Sequence, residues 1–244
     1  MFLETEPQKA KHIPVGIYFI ILVLILLFIF VMGHIQKTVQ TYEQQEENYE
    51  ECMEEIVEQT SQERVIHMDV LKEKSPSSVS WIYIPGTRVD YPMVQGKDNY
   101  EFLKKDAYGN SSDAGAIFLN SFNRADMSDP KSVIFGHNMK NGSMFHDLRK
   151  YTQTEFASEH SLLYLYMQDG STLSYQLIGT FEADAEDGEV YTCDSSVSVE
   201  DALAPLLKKM TQIYGQPNDR PFLVLSTCIK DNRRCICLFQ QMIK

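Results

Sequence analysis

Two apolar patterns divide this chain of 244 residues. The first is one uninterrupted run of 20 uncharged, mostly aliphatic residues at positions 13–32. The second begins near residue 79, where short apolar segments alternate with turn-forming residues, a pattern typical of β-strands. Between them lies a polar stretch rich in helix-forming residues. The pattern predicts a membrane segment, a helical connection and a domain built mainly of strands.

The apolar run at 13–32 is long enough to cross the hydrocarbon core of a bilayer. No small-residue cleavage site follows it at Val31-Met32-Gly33-His34, so we predict an uncleaved transmembrane anchor rather than a signal peptide. Lys9 and Lys11 precede the run, which favours a cytoplasmic tail at 1–12. This orientation places everything after the anchor outside the cell, as a single-pass protein of the cell membrane.

Residues 33–78 are predicted to form an acidic helical stalk with N-terminal helices. Between Glu43 and Glu63 there are nine glutamates and no basic residue. The segment 36–74 contains neither proline nor glycine, which favours helix. An apolar stripe near helical spacing leaves dimerisation open, although a monomer is expected. The turn-forming Ser75-Pro76-Ser77-Ser78 ends the stalk, so the predicted catalytic domain covers 79–244.

Short strands at close spacing indicate a closed or sandwich-like β architecture. The predicted strands before the last hairpin are 81–84, 89–94, 116–119, 133–135, 162–167 and 172–181. Helical insertions are predicted at 99–105, 144–151 and 199–214.

Candidate chemistry lies at the ends of strands. The apolar, β-branched run 222–228 ends in Cys228, and a returning strand follows Arg233 and Arg234. Another apolar strand breaks at a glycine and presents His137. A cysteine nucleophile needs a group that handles protons, and acyl transfer needs a group that stabilises the oxyanion. Histidine and arginine fit these two roles.

Three separated motifs resemble those of class B sortases, membrane-tethered transpeptidases of Gram-positive bacteria. They are the opening strands at 81–95, the segment Gly136-His137-Asn138-Met139-Lys140-Asn141-Gly142-Ser143-Met144-Phe145, and the strand Leu225-Ser226-Thr227-Cys228. The resemblance covers 80–243 and implies a mixed, eight-stranded β-barrel with peripheral helices. It further implies that Cys228 forms a thioester with a secreted protein that carries a C-terminal sorting signal. His137 would serve as acid and base.

The resemblance also implies the remaining site residues. The arginine that directly precedes the apolar strand is Arg234, which the family pattern favours over the adjacent Arg233. Asn99 and Leu103 match substrate-contacting positions, although helix capping and core packing explain them equally well. Ser226 and Thr227 precede the nucleophile and would shape the groove. The loop after Cys228 is short for this family and lacks an acidic residue directly after the cysteine, which leaves the sorting motif open.

Composition limits the partners. The net charge of −12 argues against nucleic acid, and five cysteines without paired spacing do not suggest a disulfide framework. The resemblance to class B sortases implies no metal or organic cofactor. It also implies that the acceptor is an amine of a peptidoglycan precursor or a pilin lysine, and the sequence does not decide between wall anchoring and pilus polymerisation. The competing functions are a cysteine protease that uses water and a non-catalytic, membrane-tethered assembly module.

Overall fold

The structure is a computed structural model that describes residues 15–59 and 64–242. Contacts divide the chain into two units, Met1–Glu51 and Cys52–Lys244. The predicted tail at 1–12 and the first two residues of the predicted anchor lie outside the described residues.

The first unit consists of one long helix, α1, whose full span is Val15–Ile56. Its portion Gly16–Thr41 has 26 residues and a mean hydropathy of 3.0, and its apolar side chains are exposed. This portion has the length and composition needed to cross a membrane. A signal sequence near the N-terminus meets the same criterion.

The second unit begins with the last turn of α1 and departs from the predicted helical stalk. Two short strands, β1 (Val57–Gln59) and β2 (Arg64–Ile66), form an antiparallel pair where the sequence predicted helix. Burial explains the difference, because Ile56 is fully buried in a cluster with Trp81 of the barrel. Residues 52–59 and 64–78 therefore pack in the same unit as the barrel, while the domain boundaries themselves stay predictions.

Eight strands close into a mixed barrel, which confirms the predicted fold class. The strands are β3 (Ser78–Tyr83), β4 (Asp90–Gln95), β5 (Ile117–Leu119), β6 (Lys131–Phe135), β7 (Leu162–Met167), β8 (Thr172–Asp184), β9 (Gln212–Ile213), β10 (Phe222–Lys230) and β11 (Arg233–Gln241). Going round the ring, the order is β11-β10-β6-β5-β4-β3-β7-β8, and β8 pairs with β11 to close it. The pairs β10·β6 and β4·β5 are parallel and the other pairs in the ring are antiparallel. The short ninth strand, β9, extends from β8.

Helical segments form near the three predicted positions, and two further short helices at Thr154–Glu159 and Gly188–Tyr191 were not predicted. The predicted helix at 199–214 ends earlier, at Lys209, because Gln212–Ile213 pairs with β8 as β9. Ser198 caps its start by accepting a hydrogen bond from the backbone N–H of Asp201. The helices of this unit after β2 are α2 (Met68–Lys74), α3 (Thr154–Glu159), α4 (Gly188–Tyr191) and α5 (Val199–Lys209), with 3₁₀ turns at Glu101–Leu103 and His146–Thr152.

Strand β10 determines where the candidate site lies. On one face of it, Phe222 and Val224 pack in a buried cluster with Leu203 and Leu206 of α5. Because side chains alternate along a strand, Ser226 and Cys228 continue that outer face of the barrel. The parallel partner β6 ends at the same edge of the sheet. The site therefore forms on the outer face of the barrel, next to the segment that carries α4 and α5.

Candidate active site

Cys228 and Arg234 are direct neighbours across the β10–β11 pair. In the antiparallel register Cys228 lies opposite Arg234, and opposite residues project from the same face of the sheet. A register shift follows between Cys228 and Lys230, after which Asp231 adopts a left-handed conformation with φ of 49° in the tight turn. The short loop noted in the sequence is thus a compact hairpin that holds thiol and guanidinium side by side.

His137 reaches the same place through the parallel β6–β10 pair. Ser226 lies opposite Phe135, so Cys228 and His137 each lie two residues further along adjacent strands. Gly136 precedes His137, and a Cβ there would approach side-chain atoms of Ile117 and Phe145 to 2.5–2.6 Å. A glycine is therefore required for the chain to leave β6 at this point.

The imidazole of His137 is held by a backbone carbonyl. Its Nε2 lies 3.0 Å from the carbonyl oxygen of Leu103, which can only accept, so Nε2 carries the hydrogen. The Nδ1 atom of the neutral ring is then the nitrogen with a free lone pair. Gly115, with φ of 61°, allows this close approach, because a Cβ there would lie 3.0 Å from His137 Cδ2.

A second histidine, which the sequence did not single out, supports this region through Asn138. The Asn138 side-chain amide donates to the carbonyl oxygen of Cys228 at 2.8 Å. Its Oδ1 atom lies 2.8 Å from His146 Nδ1, which must therefore be the donor. One amide thus joins the segment after β6, the following 3₁₀ turn and the backbone of Cys228. The ring of His146 is half-buried in this contact.

The predicted residues line one groove with a cavity of about 170 Å³. Its wall contains His137, Cys228 and Arg234 together with Asn99, Leu103, Ser226 and Thr227. The structure therefore brings all seven together, while their roles stay predictions. Five further residues complete the wall: Phe118, Phe135, Gly136, Ala185 and Tyr191. Gly136 belongs to the motif around His137, and no motif in the sequence indicated the other four as wall residues.

Asn99 and Leu103 also make hydrogen bonds that stabilise the structure around the groove. The Oδ1 atom of Asn99 accepts from the backbone N–H of Ser121 at 2.8 Å, and its Nδ2 donates to Asn120 Oδ1 at 3.2 Å. An amide nitrogen has two hydrogens, so one N–H of Asn99 remains for a ligand. Leu103 is half-buried, and its carbonyl oxygen fixes the ring of His137.

Ser226 and Thr227 differ in orientation. The Ser226 hydroxyl lies 3.0 Å from the phenol oxygen of Tyr191, on the face that carries Cys228. Burial raises the pKa of Tyr191, so its phenol stays protonated and can donate. Thr227 belongs to the opposite face by strand alternation, and its hydroxyl is buried without a partner in the described structure. The hydroxyl facing the groove is that of Ser226.

The two adjacent arginines have different surroundings. Arg233 approaches Glu182 at 3.4 Å and Asp184 at 3.5 Å on strand β8. Arg234 makes no ion pair within 4.0 Å among the described residues, and its Nη1 contacts two backbone carbonyls at 3.4 Å. Arg234 lines the groove with Cys228, whereas Arg233 lies on the other side of the strand.

The other cysteines lie away from the groove. Cys235 and Cys237 are buried, with their Sγ atoms 3.4 and 3.6 Å from the carbonyl oxygen of Leu148. Burial raises the pKa of the Cys193 thiol to about 11. All five cysteines are free. In the part of the chain that the structure describes, no three His, Cys, Asp or Glu side chains are arranged to hold a metal ion.

A closed mixed barrel with a cysteine, a histidine and an arginine at one edge is the arrangement expected of the sortase class. The sortase domain model matches residues 82–238, and the chain therefore belongs to the sortase family. Its relatives and structural neighbours are class B members.

Sortase B of Listeria monocytogenes is 40% identical over 90 residues, which is 37% of this chain and 37% of that protein. The matched region thus spans just over a third of that curated relative. Sortase B of Clostridium perfringens superposes with a TM-score of 0.65 at 26% identity, covering 72% of this chain and 99% of that one. A class B sortase of Streptococcus pyogenes involved in pilus biogenesis gives 0.65 at 26% identity, covering 71% and 97%.

Proposed function

We propose that this chain is a membrane-anchored cysteine transpeptidase that cleaves the C-terminal sorting signal of secreted proteins and transfers the acyl group to an amine. One observation carries the proposal. The strand register sets Cys228 opposite Arg234 and brings His137 to the same position on the neighbouring strand. A thiol, a proton-transfer group and an oxyanion donor therefore converge on one groove.

In the first half-reaction the proton of the Cys228 thiol passes to Nδ1 of His137, and the resulting thiolate attacks the scissile carbonyl carbon and forms a carbon–sulfur bond. His137 gives a proton to the departing amine as the carbon–nitrogen bond breaks, leaving a thioester. In the second half-reaction an acceptor amine attacks that thioester and its proton passes to His137. The carbon–sulfur bond breaks and the thiolate returns. Because Nε2 of His137 is held by Leu103, Nδ1 is the atom assigned to proton transfer.

Arg234 is assigned to the oxyanion. Its side chain projects from the same face as Cys228, and the described structure gives it no ion pair to break. A guanidinium supplies planar, paired N–H donors that a developing oxyanion can accept from. Asn99, Leu103 and Ser226 are assigned to binding the peptide, with the Tyr191 phenol beside them. Thr227 contributes through its backbone, because its hydroxyl belongs to the other face.

The membrane segment at 13–32 is assigned to anchoring, with the catalytic domain outside the cell. The exposed apolar helix supports this assignment. The acceptor is an amine of a peptidoglycan precursor or a pilin lysine, and the catalytic unit acts as a monomer. Hydrolysis is the competing outcome, in which water rather than an amine resolves the thioester.

The test is to incubate the full-length protein in detergent with a library of sorting-signal peptides and several primary amines. Mass spectrometry then identifies the products. The proposal predicts products in which the acyl portion of the peptide is joined to an amine. Only hydrolysed peptide at saturating amine would indicate a protease, and uncleaved peptides throughout would indicate a non-catalytic module.

A further inference from the structure

A second cleft opens beside the catalytic groove and continues from it. This outer cleft has a volume of about 620 Å³. Four residues line both spaces: Asn99, Phe135, Ala185 and Tyr191. Since Tyr191 contacts Ser226, two residues before Cys228, a ligand that fills the catalytic groove can extend directly into the outer cleft.

Two aromatic side chains at the outer cleft are far more exposed than is usual for such rings. Tyr100 is 78% exposed and Phe122 is 82% exposed, and both line the cleft. Single exposed apolar side chains are common on proteins, but two large rings on one cleft next to a reactive groove are typical of a binding surface. Such rings offer a flat apolar contact to a polypeptide or to the stem of a long cationic side chain.

The charge at the outer cleft is negative. Glu186 is exposed and Asp187 lies next to it, while no lysine or arginine is among the described residues that line the cleft. Asp187 and Glu189 pair with Lys209, whose Nζ lies 2.6 Å from each carboxylate, and Lys131 Nζ lies 2.8 Å from the carbonyl oxygen of Glu189. With Glu186, three carboxylates are then set against two cations. This leaves an excess of negative charge that attracts a cationic side chain and repels an anionic one.

The chemistry of the groove determines which part of a substrate reaches the outer cleft. His137 gives its proton to the departing amine, so the leaving group and the incoming acceptor occupy the side of His137. His137, Cys228 and Arg234 do not line the outer cleft. The cleft joins the groove at Asn99, Phe135, Ala185 and Tyr191 instead. The part of the donor that precedes the scissile bond is therefore the part that extends into it.

We propose that the outer cleft binds the segment of the donor polypeptide upstream of its recognition motif and favours a lysine or arginine in that segment. This inference rests on the proposed function. It assigns Glu186 to the charge preference and Tyr100 and Phe122 to apolar contact with the upstream chain. Sorting-signal proteins with a basic upstream segment are then better donors than those with an acidic one.

The experiment uses the full-length protein in detergent and donor peptides that carry the motif selected by the library. One peptide ends at the motif, and three are extended upstream with lysine, serine or glutamate. The expected order of kcat/KM is lysine above serine above glutamate, with about a 1.5- to 5-fold step for each exposed charge contact. Because salt screens exposed charges, the differences in kcat/KM among the three extended peptides should become smaller in about 0.5 M salt.

Two variants and one control make the assignment specific. Glu186→Gln should remove most of the difference between the lysine and glutamate peptides. Phe122→Ser should weaken all three extended peptides relative to the unextended one. Glu155→Gln, an exposed glutamate on α3 outside both clefts, should leave the order unchanged.

The outcomes separate the two proposals. If no donor peptide gives an acyl-enzyme, the proposed function fails. If the extended peptides form acyl-enzyme at equal rates in the unmodified protein, the proposed function survives and the outer cleft has no upstream preference. If the variants change only the share of thioester resolved by amine, the cleft binds the acceptor, and the assignment to the donor is overturned.

Discussion

Replacing Asp90 by alanine should destabilise the barrel, because this carboxylate joins three elements. Arg64 Nη2 on β2 lies 2.5 and 2.7 Å from the two Asp90 oxygens, and Trp81 Nε1 on β3 donates to Asp90 at 2.7 Å. The Arg64 and Asp90 side chains are only 12% and 19% exposed. Asp90→Ala would leave a mostly buried guanidinium without its counter-ion and the Trp81 N–H without its acceptor. Removing one partner of a buried ion pair lowers the free energy of unfolding by about 3–5 kcal/mol. Because both side chains keep some exposure, we expect a loss of about 3 kcal/mol.

Trp81 is the single tryptophan of the chain and is fully buried, so its fluorescence reports unfolding of this region directly. At about 2–4 °C per kcal/mol for a domain of this size, Asp90→Ala should lower the Tm by about 6–12 °C. The matched control is Asp113→Ala, which breaks the pair with Lys104 whose side chains are 69% and 75% exposed. That change should cost less than about 1 kcal/mol. Equal losses in the two variants would refute the reasoning.

Three further predictions concern the groove and its neighbourhood. Because burial raises the pKa of Cys193 from 9.0 to about 11, the unfolded chain releases this proton first. The free energy of unfolding should therefore fall between about pH 9 and pH 11, and Cys193→Ser should lose that part of the pH dependence. Asn138→Ala should lower kcat about tenfold with little change in KM, because the loss of one positioning hydrogen bond has about that effect. Replacement of the exposed Asn141 by alanine in the same loop should leave kcat unchanged. An unchanged kcat in Asn138→Ala would refute this role. Arg234→Ala should lower turnover about 10²- to 10³-fold and Arg234→Lys should also be damaging, whereas a larger loss in Arg233→Ala would reassign the oxyanion donor.

Local sequence pattern was sufficient for much of the fold. The runs around 162–167 and 222–228 are apolar and β-branched or aromatic, bounded by turn residues, and both form strands as predicted. Their positions follow from period and turn chemistry, which are local properties. The closed eight-stranded ring came from family resemblance, because pairings such as β8 with β11 join segments far apart in sequence.

The region before the barrel shows where local pattern fails. Helix propensity was high across 36–74, yet Val57–Gln59 and Arg64–Ile66 pair as strands. The deciding interaction is tertiary, since Ile56 and Ile66 are buried in a cluster with Trp81. Helix propensity is a weak preference of well under 1 kcal/mol per residue, and burial of such side chains outweighs it.

The groove residues also fall into two groups, those that the sequence could identify and those that depend on the fold. His137 and Cys228 could be identified because each ends an apolar strand, and motif resemblance connected them. Tyr191 and His146 could not, because their roles depend on the fold bringing them to Ser226 and Asn138. The family pattern already favoured Arg234 over Arg233, and the register that sets Arg234 opposite Cys228 agrees with that choice, while the role of the arginine stays a prediction.

The central claim is that Cys228 carries an acyl-enzyme that an amine resolves. The most direct measurement is intact mass spectrometry of the full-length protein during turnover of an accepted peptide, with the site of attachment mapped. We expect the mass of the acyl portion on Cys228 when amine is absent, its loss when amine is added, and neither adduct nor product in Cys228→Ala. Attachment at another residue, or a transfer product from Cys228→Ala, would contradict the claim.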